Sequence, residues 1–202
     1  MKKMFCHASL YLCLTTVLFV SCSTPVGLTS WKNPQAKEQI SKIAVIAMFD
    51  KLIYIQPFEE QIAGYFKSQN LDCIKSLDFL EPFRKYSNAD LQKKLDSLGA
   101  DGILLLSYKG TDISVDLNSG YYGGYFGWWG GAGGGWSATS TVNLRARLYP
   151  ANKNGLIWSG DLTVTDPSDV KKEALQIARV ILADLQKNNL LKNPPPPPPQ
   201  KK

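Results

Sequence analysis

The chain has 202 residues, 44% of them hydrophobic and 20% charged, with 23 Lys and Arg against 17 Asp and Glu for a net charge of +6. That length suits one ordinary domain with tails, and the slight positive excess lacks the concentrated basic footprint of a nucleic-acid binder. Only one histidine is present, His7, and four cysteines, Cys6, Cys13, Cys22 and Cys73.

Residues 1–21 read as an export signal: Lys2 and Lys3, an uncharged and mostly apolar run from Phe5 to Val20, then Ser21 before Cys22. The run is shorter than the roughly 20 apolar residues that span a bilayer, and Ser23 to Pro25 follow it at once. In this setting Leu18-Phe19-Val20-Ser21-Cys22 resembles the acylation site of bacterial lipoproteins. The resemblance implies cleavage after Ser21 by signal peptidase II and a lipid on Cys22. Loss of Lys2 and Lys3 leaves 21 basic against 17 acidic residues, a net +4. His7, Cys6 and Cys13 leave too, so Ser-His-Asp and Cys-His catalysis and histidine-ligated metal sites are excluded for want of an imidazole. Cys73 is then left without a disulfide partner and reads as a buried strand residue. No cofactor and no metal is expected.

The composition of residues 22–41 is that of a flexible tether holding the domain off a membrane surface. An α/β domain is expected over 42–191, with a mixed sheet: a parallel β-α-β-α-β part, then antiparallel strands and a C-terminal helix. Ile43 to Met48 is apolar without alternation and suits a strand covered on both faces. Pro57 fits a first helical turn, with Glu59 and Glu60 near the positive helix end and Phe58, Ile62 and Phe66 on one face. Leu71 to Lys75 reads as a second strand, and Ala89 to Leu98 as a second helix capped by Ser87 or Asn88. Leu91, Leu95 and Leu98 form its buried stripe and Gly99 stops it. Ile103 to Leu106 is a further doubly covered strand, and the order implies right-handed parallel crossovers.

After Lys109 the period becomes two. Ile113, Val115 and Leu117 alternate with Asp112, Ser114 and Asp116, then Val142, Leu144, Ala146 and Leu148 with Asn143, Arg145 and Arg147. These are half-buried antiparallel strands. A third runs from Leu156 to Thr165. Asp166 is expected to cap a helix with Pro167 at its first position and a stripe of Val170, Ala174, Ile177, Ala178, Ile181 and Leu185. Residues 192–202 form a Pro-rich tail, with Pro194 to Pro199 in polyproline II, serving as a plain terminus, a spacer or a ligand for a polyproline-reading groove.

The unusual stretch is the hairpin 118–137, which holds nine of the 16 glycines and three of the five tryptophans, with no charge between Asp116 and Arg145. Such glycines leave the backbone unconstrained, while Tyr121, Tyr122, Tyr125, Phe126, Trp128, Trp129 and Trp136 are aromatic side chains of the kind enriched at membrane interfaces and partner surfaces. Two readings stand: an adhesive loop that binds a partner or a membrane, or a hairpin tip that collapses on its own domain. A phosphate site is disfavoured, because Gly133-Gly134-Gly135 leads into a strand and not a helix.

Ser168-Asp169-Val170-Lys171 matches the S-x-x-K pattern of serine acyl enzymes without its companion motifs, and reads as helix initiation. Glu59-Glu60 and the pair Asp112 and Asp116 read as a helix-dipole pair and solvated strand carboxylates ahead of acid–base catalysts. Arg145 and Arg147 read as an ordinary solvated face ahead of a contact for anionic headgroups or polymers.

Lys42-Ile43-Ala44-Val45-Ile46, Leu98-Gly99-Ala100-Asp101-Gly102-Ile103-Leu104 and Leu156-Ile157-Trp158-Ser159-Gly160, in this order of elements, resemble the small α/β domains of bacterial envelope lipoproteins. The resemblance is to the group of the curli-secretion lipoprotein and the N-terminal domain of the Tol periplasmic protein. It implies a non-enzymatic binding or assembly module at the envelope. Ser23, where an aspartate would resemble an inner-membrane retention signal, points to the outer membrane and its periplasmic face, the aromatic stretch to an envelope protein or glycan as partner and the charge to no nucleic acid, with possible homo-oligomers. An oligomeric membrane-inserting secretion or pore component is the alternative, and a hydrolase using carboxylates or Ser-Lys chemistry is the third.

Overall fold

The run from Ile43 to Met48 carries no polar residue, and the architecture shows why. In the computed structural model, which describes residues 26–115, 138–152 and 155–192, strand β2 (Lys42–Met48) lies between two parallel neighbours, β3 (Asp72–Lys75) and β4 (Gly102–Val115). Antiparallel pairing then continues outward from β4 through β5 (Ala138–Pro150) and β6 (Trp158–Thr165) to β1 (Val26–Lys32). The six strands form one mixed sheet in the order β1-β6-β5-β4-β2-β3. Among the described residues three α-helices complete the α/β fold: α1 (Leu52–Ser68), α2 (Asn88–Leu98) and α3 (Val170–Lys187).

Strand β1 corrects the tether expected over 22–41. Val26 to Lys32 pairs residue by residue with β6, from Val26 opposite Val164 to Lys32 opposite Trp158. Its Thr, Ser and Gly content reflects an edge strand with one wet face, which looks like spacer when read locally. At the domain's other boundary, Ile40 bridges Leu191, and both are buried.

Strand β4 also differs from expectation, joining two separately read segments into one strand of 14 residues. Between Gly102 and Ser107 it crosses the half of the sheet that has helices on both faces, with Leu104 and Leu106 in the core under α1 and α3 and Ile103 against the Leu95 cluster of α2, so apolar residues are needed on both faces. Past Met48 the β2 partner ends, and only β5 continues. The change of period at Lys109 marks the end of cover on the second face, and a bulge between Tyr108 and Gly110 takes up the change of register.

One face of the sheet holds the main core, where Ile43, Val45, Leu104, Leu106, Leu144 and Leu162 meet Phe58, Ile62 and Phe66 of α1 and Ala174, Ile177, Ile181 and Leu185 of α3. The opposite face is covered only over its parallel half, by Leu95 of α2 against Ala44, Ala100 and Ala151. The expected α2 stripe is therefore narrower: Leu95 is buried, Leu91 packs at the edge and Leu98 is exposed. Ser87 accepts from the Asp90 N–H, and Gly99 stops the helix at φ 66°.

Two helix starts differ from the expected ones. Helix α1 begins at Leu52, where the Tyr54 and Ile55 N–H groups donate to the Lys51 carbonyl, and Pro57 lies inside it. The N–H that proline lacks would have served the Ile53 carbonyl, in a first turn that water reaches. At α3 the cap is Asp169, whose carboxylate accepts from the Lys172 N–H at 2.8 Å. Asp166 instead takes φ 49° and ties β6 to β5, accepting from the Ser140 N–H while its own N–H donates to the Ser140 carbonyl.

Candidate functional site

The C-terminal end of β2 and the far end of the β4–β5 ladder point the same way, and the ladder runs on past Met48 to its tip. The β4–β5 pairing runs to Val115 opposite Ala138, so residues 116–137 leave from and return to that tip. Four large apolar side chains are exposed at the pole where β2 ends: Met48 at 61% and Tyr108 at 42% on the strands, and Leu52 at 42% and Ile53 at 72% in the first turn of α1. The register puts the start of the described chain at the same end, since Val26 is level with Val164, Val142 and Thr111.

Beneath these side chains the pole is firmly built. Phe49 meets Phe58 edge-on, with ring centroids 5.0 Å apart, and a narrow apolar cleft runs between them and Val142, Val164 and Val170. Gly110 at φ 145° shapes the bulge, and the Tyr108 and Thr111 hydroxyls share a hydrogen bond of 2.6 Å. Asn143 donates to Asp112 at 2.7 Å. These contacts fix the outgoing strands before they reach Val115.

Glu59 is not the exposed dipole partner that its sequence position suggests. It is fully buried, and its carboxylate accepts from the Ala47 N–H at 2.8 Å, the Ser76 hydroxyl at 2.6 Å and the Leu77 N–H at 3.2 Å. Burial raises its pKa above the ordinary carboxylate value, even though the three donors pull it down. The net result is a clamp between the end of β2 and the turn after β3. Glu60, by contrast, is exposed.

Cys73 is buried in β3, as expected, and burial pushes its thiol up to about 12, which leaves it protonated and unreactive at neutral pH. Ser168 and Lys171 are both exposed, with the Ser168 N–H donating to the buried Glu173 carboxylate at 3.4 Å. On the open sheet face Arg145 pairs with Asp161 through two bonds, of 2.5 and 2.8 Å, and this guanidinium holds the Asp161 carboxyl below its usual value. No group of three or more His, Cys, Asp or Glu poised for a metal occurs among the described residues.

The residues singled out in the sequence as lipid site and contact site, Cys22 and Tyr121, Tyr122, Tyr125, Phe126, Trp128, Trp129 and Trp136, lie outside the described residues, as do Asp116 and the run Pro194 to Pro199. Sequence reasoning missed the exposed set at the pole. Leu52 and Ile53 carried a signal, as apolar residues off the α1 stripe, but Met48 and Tyr108 join them only through the fold.

No family model matches the chain, and no curated protein matches it. Among solved structures, the PelC dodecamer from Paraburkholderia phytofirmans is similar at 12% identity and TM-score 0.48, over 84% of this chain and 100% of that one. Lipoprotein GNA1162 from Neisseria meningitidis is similar at 13% identity and TM-score 0.43, over 73% of this chain and 99% of that one. The hypothetical protein CT253 from Chlamydia trachomatis follows at 12% identity and TM-score 0.34, over 62% and 72%.

Proposed function

We propose that this chain is a lipid-anchored protein of the bacterial cell envelope, held through Cys22 on the periplasmic face of the outer membrane, that works by binding or assembly and not by catalysis. The observation that carries the reading is the order Lys2-Lys3, apolar run, Leu18-Phe19-Val20-Ser21-Cys22. Ser23, standing where an aspartate would resemble an inner-membrane retention signal, favours the outer membrane. The contact element is the stretch from Tyr121 to Trp136, whose aromatic side chains suit an envelope protein or glycan surface. Nucleic acid is no partner, because the charge excess is small.

Non-enzymatic action is supported by the absence of any imidazole after His7 and by the exposure of both Ser168 and Lys171. Two arms test the reading. Labelled palmitate fed to the native cell should enter the wild-type chain and not Cys22→Ser; a wild-type chain without label refutes the anchor. A photo-crosslinking residue in place of Trp128 or Trp129 should capture an envelope component in situ. Deletion of Tyr121 to Trp136 should remove crosslinking from flanking positions with the circular dichroism spectrum intact, and retained capture refutes the contact role.

A further inference from the structure

We infer that strand β1 is a docking edge for a second copy of this chain, the two β1 strands pairing antiparallel about a two-fold axis at Thr29. Pairing of this kind needs no lipid anchor. Strand β1 ends the sheet, with β6 as its one neighbour among the described residues. Two bonds near the ends of β6 fix which way its peptide groups point. The Asp166 N–H donates to the Ser140 carbonyl, so the even-numbered residues of β6 turn toward β5. The Asn33 N–H donates to the Ile157 carbonyl, so the odd-numbered residues of β6 and β1 face each other. Val26, Leu28, Ser30 and Lys32 therefore point their N–H and C=O groups out of the sheet, and no bond from a described residue reaches them.

Native sheets ordinarily blunt such an edge with a proline, a charge or a covering segment. Residues 26–31 carry neither proline nor charge, and Gly27, Thr29, Ser30 and Trp31 are exposed. Lys32 is turned away from the edge, its Nζ donating to the Asn188 carbonyl beyond the end of α3 at 2.6 Å. Among the described residues the edge is open along its length.

The strand's own sequence says which partner fits. Pairing about Thr29 sets Leu28 opposite Ser30 of the second copy and Val26 opposite its Lys32, and each such pair exchanges both N–H···O bonds. Every outward peptide group of both strands is then satisfied. Charge does not oppose this register, because each Lys32 meets a valine and not another lysine. On the open face Trp31 meets Gly27 of the second copy in a non-hydrogen-bonded pair, where Cα atoms approach to about 4.5 Å. Nothing within one chain calls for glycine at 27: its φ is not positive, and a Cβ there would meet Thr163 Cβ at an ordinary 3.7 Å. Glycine weakens a strand interior and marks a place where something else comes close. Trp31, 51% exposed, supplies that neighbour from the second copy, and aromatic cover of an edge glycine pins register. Thr29 meets Thr29 at the axis, a favourable cross-strand pair. A foreign extended peptide would satisfy the same bonds and leave the spacing of Gly27 and Trp31 without a purpose.

The test uses the full chain purified in detergent. Wild type should sediment with the mass of two chains at micromolar concentration and of one on dilution. Ser30→Pro removes an outward N–H and leaves the β6 ladder alone; it should stay single where wild type is paired, with its circular dichroism spectrum intact. Gly27→Val fills the place of Trp31 and should do the same, which keeps the test open if the proline chain fails to fold. Thr29→Cys should oxidise to a symmetric disulfide, located by mass spectrometry, and Thr163→Cys, exposed on the neighbouring strand, should not; Cys73 is buried and takes no part. A wild-type chain of single mass at every concentration overturns the inference, as does pairing that survives both Ser30→Pro and Gly27→Val. A disulfide at position 163 in place of 29 moves the contact to the open sheet face and overturns it as well.

Discussion

The two ends of the sheet are finished in opposite ways. At one end Asp101 accepts from the Ser41 N–H and hydroxyl and the Lys42 N–H, the closest at 2.6 Å, while its carbonyl takes the Ala151 N–H. The Ile40 N–H donates to the Leu190 carbonyl, the Lys192 N–H returns to Ile40, and Ile40, Leu190 and Leu191 are buried. Gly102 fits so closely that a Cβ there would fall 2.5 Å from Ile40 Cγ2. At the other end Met48, Leu52, Ile53 and Tyr108 are exposed, and β4 and β5 run on past the end of β2. The contrast separates two uses of apolar side chains: at the closed end they hold the fold, and at the open end they are surplus to it.

Substitutions should break this contrast in graded fashion. Leu190→Ala at the closed end should lower the urea unfolding free energy by about 3 kcal/mol, as other buried leucines do; a loss as small as a surface change would mean that this end is not part of the core. Asp101→Ala should lower it by about 2 kcal/mol, because charged hydrogen bonds to Ser41 and Lys42 are lost.

The Glu59 clamp beneath the open end yields a pH test. Burial raises its folded-state pKa above the ordinary value of 4.5, so the stability it contributes is complete below that value and is lost as pH rises through the raised one. Unfolding midpoints of wild type and Glu59→Gln should therefore move in favour of the glutamine chain from acid to neutral pH, and a constant difference would contradict the buried carboxyl. Smallest of all should be Met48→Ser and Ile53→Ser, within about 0.5 kcal/mol of wild type in solution. A large stability loss from either would show that these residues belong to the core after all.

What the sequence disclosed followed the range over which each signal acts. Ser87 and Gly99 mark α2 because caps depend on residues three or four positions away, and the α3 stripe from Ala174 to Leu185 repeats within one helix. Strand β1 was illegible because its partner β6 lies far along the chain, and an edge strand with Gly27, Thr29 and Ser30 resembles a spacer. Glu59 was misread for the same reason: its three donors, at Ala47, Ser76 and Leu77, come from other elements. Start signals also compete, and Pro57 and Asp166 offered conventional ones that Lys51 and Asp169 displaced. Of the candidate site, Cys22 and the aromatic stretch were read from the sequence and lie outside the described residues, whereas the exposure of Met48, Leu52, Ile53 and Tyr108 shows only in the fold.

The most direct measurement of this contrast is amide hydrogen exchange of the folded chain in solution. The account predicts slow exchange at the closed end, at residues 40, 42, 101 and 151, and faster exchange at the open end, at residues 49–53. The reverse order would contradict it.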